Sequence, residues 1–262
     1  MSADGFVRRI GLLRSVDLLV WGPVLLMISL FRRKRTLPAV RDVGLMVFET
    51  IGDTILASSL VNSLRASLDP LSVTLFVSSG NRAAAGLIGG VDRIVEVPLM
   101  RPWAALRAMR SAQVDVLIDV GQWPRWYAFL CAMSRSRFTI GFATPRQFRH
   151  LAYDAALEHR ADVHELDNMA RLLAPLPGVL PRPPAIALPA PDSTCPVFVA
   201  SYVVLHPGAG GFRSDEREWP VAHWRRLVSE LTARGLGVVV SAARPMPPRQ
   251  RRSFAMPRIR DG

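Results

Sequence analysis

Residues 43–65 read VGLMVFETIGDTILASSLVNSLR, and this stretch decides the fold. Val43 to Phe48 is a short apolar run, of the kind a parallel strand covered on both faces requires. Glu49 to Asp53 is polar enough to turn the chain. From Ile55 onward, Ile55, Leu56, Leu60, Val61, Leu64 and Leu68 recur at helical spacing, which predicts a helix over 55–68. Strand, tight loop and helix make the first half of a β-α-β unit.

The pattern continues outward from there. Strands are predicted at Val73–Val77, Arg93–Val97 and Val114–Val120, with helices at Asn81–Ile88 and Trp103–Ser111 between them. Alternating strands and helices imply an α/β fold with a doubly wound parallel sheet. Ligands of such sheets bind beyond the carboxyl ends of the strands, which directs attention to Thr50-Ile-Gly-Asp53. Gly52 is read as allowing a tight turn and leaving space above the helix start. Asp53 at a helix N-terminus has two readings. It can cap free N–H groups, or, at the mouth of a cleft, take a proton from a hydroxyl as a general base.

Further along, eight prolines crowd residues 175–196, which predicts a stiff, extended linker. A strand follows at Tyr202–Leu205, then His206-Pro-Gly-Ala-Gly-Gly211, then Glu218-Trp-Pro220 before a helix over 221–234, then a strand at Leu236–Val240. A glycine loop after a strand can present backbone N–H groups to a phosphate, or be a plain turn. Arg213 and Arg217 can pair with a diphosphate or be solvated loop residues. Trp123, Trp126 and Tyr127, after the fourth strand, can stack on a sugar or pack in the core.

The chain has 262 residues, half of them hydrophobic, which excludes a disordered protein. Cys131 and Cys195 are too few for a disulfide framework or a thiolate metal site, and His150, His159 and His164 lack metal-ligand spacing. The net charge is +12, with +6 in residues 1–41 and +5 in residues 244–262, leaving +1 for the body. Charge confined to the ends argues against nucleic-acid binding. Near the N-terminus, Leu18–Phe31 is uncharged and is followed by Arg32-Arg33-Lys34-Arg35. The run is short for a membrane span, and no small-residue cleavage site follows it. An interfacial or re-entrant anchor facing anionic headgroups fits, as does an ordinary buried helix.

Residues 45–65 resemble the opening strand, loop and helix of glycosyltransferase family 9, the ADP-heptose:lipopolysaccharide heptosyltransferases and their relatives. Val91–Val95, Val114–Asp119, Thr139–Phe142, His164–Leu173 and the HPGAG loop with its Trp-Pro helix start resemble that family's later segments in order. The resemblance covers about residues 43–240, the span over which these patterns run. Relatives often carry a basic residue where this chain has Val47. The resemblance implies two Rossmann-like domains of the GT-B type, the second incomplete. The organisation would be a membrane-proximal segment (1–41), an acceptor domain (42–175), a linker (176–200), a partial nucleotide-binding domain (201–241) and a disordered tail (242–262). It also implies an inverting, metal-independent glycosyltransferase without a cofactor, with Asp53 as base. Thr50, Gly52, His206, Pro207, Gly208, Ala209, Gly210 and Arg213 would bind substrate or donor. Its partners would be a nucleotide-diphosphate sugar, ADP-heptose among them, a glycolipid acceptor and a membrane surface at the cytoplasmic face of the inner membrane.

The Arg- and Pro-rich end, in a chain with 32 Arg and 1 Lys, leads to the expectation of a truncated or frame-shifted copy with impaired activity. A non-catalytic membrane-associated binding protein is the competing reading. A dinucleotide oxidoreductase would need G-x-G-x-x-G where this chain has ETIGDT.

Overall fold

The structure, a computed structural model, describes residues 15, 17–187, 201–208 and 218–241. It divides into two units, Met1–Pro189 and Ala190–Gly262. The first opens with a π-helical turn at Asp17–Trp21 and helix α1 at Gly22–Phe31. Pro23 sits in the first turn of α1, where its missing N–H costs nothing.

A six-stranded parallel sheet follows, built from β1 (Asp42–Val47), β2 (Ser72–Val77), β3 (Arg93–Glu96), β4 (Val116–Asp119), β5 (Phe138–Ala143) and β6 (Ala155–Glu158). Its order is β3-β2-β1-β4-β5-β6, so the chain reverses direction across the sheet between β1 and β4. The helices are α2 (Ile51–Leu56), α3 (Ser58–Ser67), α4 (Arg82–Ala85), α5 (Pro102–Met109), α6 (Arg125–Ala132) and α7 (Glu165–Arg171).

Side chains alternate across the pleat into two cores. Val43, Leu45 and Val47 of β1 face a cluster with Leu60, Val61 and Leu64 of α3 and Met169 of α7. Met46 and Phe48 face the other, with Leu25 of α1, Met109 of α5 and Leu130 of α6. Val47 is wholly buried.

Three sequence expectations change. The helix expected over 55–68 begins at Ile51, because a Thr50–Asp53 capping box starts it early, and it is divided at Ala57. Gly52 does not make a tight turn. It has no positive φ, it lies in the first helical turn, and a Cβ there would meet only Thr50 Oγ1 at 3.7 Å. Strand β6 was not anticipated from the pattern, because as an edge strand it alternates half-buried and exposed residues.

The proline-rich stretch, as far as Ala187, lies along α3. The Arg182 and Ala185 N–H groups donate to Ser63 and Ser58 at 2.8 and 3.0 Å, and Asn62 donates to the Pro183 carbonyl at 3.0 Å. Serines on one face of α3 thus satisfy the N–H groups that lie between prolines.

The second unit contains β7 (Tyr202–Leu205), α8 (Val221–Ala233) and β8 (Gly237–Val240), with β7 and β8 parallel. Among its described residues only Leu205 is buried.

Candidate active site

The carboxyl ends of β1 and β4 flank the point where strand order reverses, the place where open α/β sheets form crevices. Glu49 follows β1, and Gln122 and Trp123 follow β4. Together with Asp53, Val120, Glu165 and Met169 they line a cavity of about 140 Å³.

Asp53 caps its helix and also stands at the cavity. Its carboxylate accepts from the Thr50 N–H at 3.1 Å and Thr50 Oγ1 at 2.8 Å, and Thr50 Oγ1 accepts from the Asp53 N–H. This is a reciprocal cap. The same side chain also lines the cavity. Thr50 therefore orients Asp53, and Gly52 leaves the approach open.

Three acidic groups around the cavity escaped sequence reasoning. Glu49 Oε1 is buried with no hydrogen-bond partner. Burial, reinforced by the negative charge of Asp119, pushes the Glu49 carboxyl up from 4.5 to about 7. It therefore exchanges a proton near neutrality. Glu165, at the first residue of α7, accepts from Gln122 at 3.1 Å and lies 3.1 Å from His159 Nε2. His164 caps this helix through Nδ1.

Behind the cavity, Asp119 accepts from Arg149 at 2.7 Å and from the Tyr153 hydroxyl at 2.6 Å, and all three are buried. Gly141 makes room for the Tyr153 ring, which a Cβ at 141 would overlap. Burial drives the Tyr153 hydroxyl far above its ordinary value, so it stays a donor. The available signal was position: Glu49 and Asp119 stand at strand carboxyl ends.

Of the three aromatics, Trp126 packs on Trp21 (4.5 Å between rings) and stacks on Phe129, while Tyr127 meets Phe48 edge-on. Those two are core residues. Trp123 is half exposed at the cavity.

In the second unit, His206 Nδ1 lies 2.9 Å from Ser241 Oγ, just past β7 and β8. Pro207 and Gly208 follow, and a Cβ at Gly208 would meet nothing within 4 Å. Ala209, Gly210, Arg213 and Arg217 lie outside the described residues, as do Cys195 and the expected tail 242–262.

No model of a known protein family matches this sequence, and no curated protein matches it. Solved structures do. Escherichia coli heptosyltransferase WaaC with ADP-2-deoxy-2-fluoro heptose superposes with a TM-score of 0.62 at 17% identity, over 81% of this chain and 71% of that one. The fold is that of the heptosyltransferases. The glycosyl transferase family 9 protein of Veillonella parvula gives 0.63 at 13% identity, over 76% of this chain and 62% of its own. E. coli ADP-heptose lps heptosyltransferase II gives 0.57 at 14% identity, over 76% and 63%. The heptosyltransferase-like sheet puts the carboxylate-lined cavity of this chain at the reversal of strand order.

Proposed function

We propose that this chain is a glycosyltransferase of the family 9 type. The cavity at the carboxyl ends of β1 and β4 carries the reading, because it gathers Asp53, Glu49 and Glu165 where such a sheet binds its ligand. In the proposed reaction an acceptor hydroxyl oxygen attacks the anomeric carbon of a nucleotide-diphosphate sugar. The bond from that carbon to the diphosphate oxygen breaks with inversion, and Asp53 takes the hydroxyl proton. The role needs no metal. The loop from His206 through Gly208, Ala209, Gly210 and Arg213 would hold the diphosphate. The solved neighbours with ADP and an ADP-heptose analogue support a nucleotide-sugar donor, ADP-heptose being the first to try.

A glycolipid acceptor, such as a lipopolysaccharide core, fits the N-terminal segment. No helix among the described residues is long and apolar enough to cross a membrane. Yet Leu19, Leu26, Met27, Leu30 and Phe31 are exposed. That argues for a helix lying in a membrane interface; the family resemblance is what suggests the cytoplasmic face of the inner membrane.

The test is sugar transfer from ADP-heptose to a membrane-extracted glycolipid by the full chain and by Asp53→Asn. Turnover that depends on Asp53 supports the reading; turnover indifferent to Asp53 removes it as base. The second reading, a non-catalytic binding protein, is favoured by the sparse burial among the described residues of the second unit. Acceptor binding without donor binding would select it.

A further inference from the structure

Charge is also segregated along the chain between its N-terminal end and its middle. None of the 21 acidic residues falls in segments 18–41, 97–114 or 120–153, which together hold 13 of the 33 Lys and Arg. These segments supply α1, α5 and α6, and those three helices cover one face of the sheet. Among the described residues, three acidic side chains that reach these segments are held in ion pairs. Asp17 pairs with Arg125, Asp154 with Arg32 and Arg35, and Asp119 with Arg149.

The same face has two apolar-basic patches, each with one lining residue at or just past the end of α6. Met27, Phe31 and Arg33 form a groove with Ala132, the last residue of α6. Trp103, Arg107 and Arg110 form another with Arg135, three residues further on. Phe31 is 84% exposed and Trp103 is 86% exposed, and Met100 beside Trp103 is also exposed. Arg33, Lys34, Arg107 and Arg135 are exposed too. An indole and a phenyl ring projecting among exposed arginines match a lipid interface, where apolar groups enter the acyl boundary and cations meet headgroups.

We propose that α1, the end of α6 and α5 form one continuous footprint for an anionic lipid bilayer, with Trp103 and Phe31 as its two apolar anchors. The footprint rests on the membrane reading above and enlarges it from one helix to a face. Because Asp17 ties the start of α1 to Arg125 of α6, and Asp154 ties Arg32 and Arg35 after α1 to β5, the footprint is held in place and sets which face of the sheet turns toward the bilayer.

Co-sedimentation of the full chain with vesicles tests this. One set is phosphatidylcholine alone, the other phosphatidylcholine mixed with phosphatidylglycerol. The chain is expected to bind the mixed vesicles, and more weakly as salt rises. Two variants separate the claims: Phe31→Ser with Arg33→Glu, and Trp103→Ser with Arg107→Glu and Arg135→Glu. All five positions are exposed, so the fold should persist, and circular dichroism checks it. Each variant should lose binding, by roughly fivefold for each basic residue removed. If only the Phe31 variant loses binding, the enlarged footprint is wrong and attachment by α1 alone stands. If the unaltered chain binds neither vesicle, both the footprint and the membrane attachment fail. Binding equal on both vesicle sets would overturn the electrostatic part.

Discussion

A methyl group on residue 121 would stand 2.8 Å from Glu49 Oε1, so Gly121 is what lets that carboxyl sit at the cavity wall. The close approach has a cost that depends on pH. Glu49 is raised from 4.5 to about 7 by burial and by Asp119. Its folded-state value lies above its unfolded one. Its contribution to stability is therefore full below pH 4.5 and declines as pH rises through about 7.

Glu49→Gln should remove that decline. Above neutrality the variant should be more stable than the parent, by on the order of 1–3 kcal/mol. Below pH 4.5 the two should converge. Urea unfolding across this range measures it. A constant difference at every pH would mean that Glu49 does not titrate in this window.

Asp53 allows its two roles to be separated. Thr50→Ala removes the side-chain half of the reciprocal cap and should cost about 0.5–2 kcal/mol of stability, with the cavity carboxylate still present. Asp53→Asn keeps the shape but not the basicity, and transfer should fall about 10²-fold or more. Thermal melts beside a transfer assay distinguish them. A variant pair that loses activity only in proportion to stability would leave Asp53 as a cap.

Asp154 ties the N-terminal segment to the sheet. Its carboxylate accepts from Arg32 at 2.9 Å, from Arg35 at 2.8 Å and from Thr139 Oγ1 at 2.9 Å. Burial opposes its charge, but the hydrogen bonds from Arg35 and the charge of Arg32 hold it below the ordinary carboxylate value. A lowered value means that this stability is present above the ordinary Asp value of 3.8 and is lost as pH falls below it. Asp154→Ala leaves two guanidinium groups without their carboxylate and should cost about 3–5 kcal/mol. Calorimetry reads the loss. For the same reason a chain begun at Arg41 tests folding rather than membrane attachment, since it strips Asp154 of both arginines and Arg125 of Asp17.

Much of the fold was legible because the apolar runs at Val43–Phe48 and Val114–Val120 have few alternatives once helices intervene. Legibility failed where tertiary context decided. Leu18–Phe31 reads as an anchor or a core helix, and the folded chain buries Leu25 while exposing Leu30 and Phe31, a split that only packing decides. Two of the four consecutive basic residues, Arg32 and Arg35, turned out to serve Asp154, 119 or more residues away. At the site, Asp53 was visible through its local motif. Glu49, Glu165 and the Asp119–Arg149–Tyr153 group were not, because they come together only when β1, β4 and the start of α7 are placed side by side.

The second unit supplies the last expectation. Helix α8 has no buried residue, and in β7 Tyr202 and Val204 remain about half exposed. Burial of apolar surface is the main force that closes local structure, so segments that bury little open at low free energy. Backbone amides of α8 should therefore exchange with solvent at least about 10²-fold faster, relative to their unfolded rates, than those of β1, whose Val43, Leu45, Met46 and Val47 are fully buried. If the loop beginning at His206 binds a nucleoside diphosphate, saturating ADP stabilises the folded unit by mass action, and α8 exchange should slow accordingly. Hydrogen–deuterium exchange read by mass spectrometry, with and without ADP, measures both effects. Slow exchange in α8 without ligand would show that the unit is stabilised by more than the described residues bury. Fast exchange that ADP leaves unchanged would weigh against the donor site and toward a chain that binds an acceptor without transferring a sugar to it.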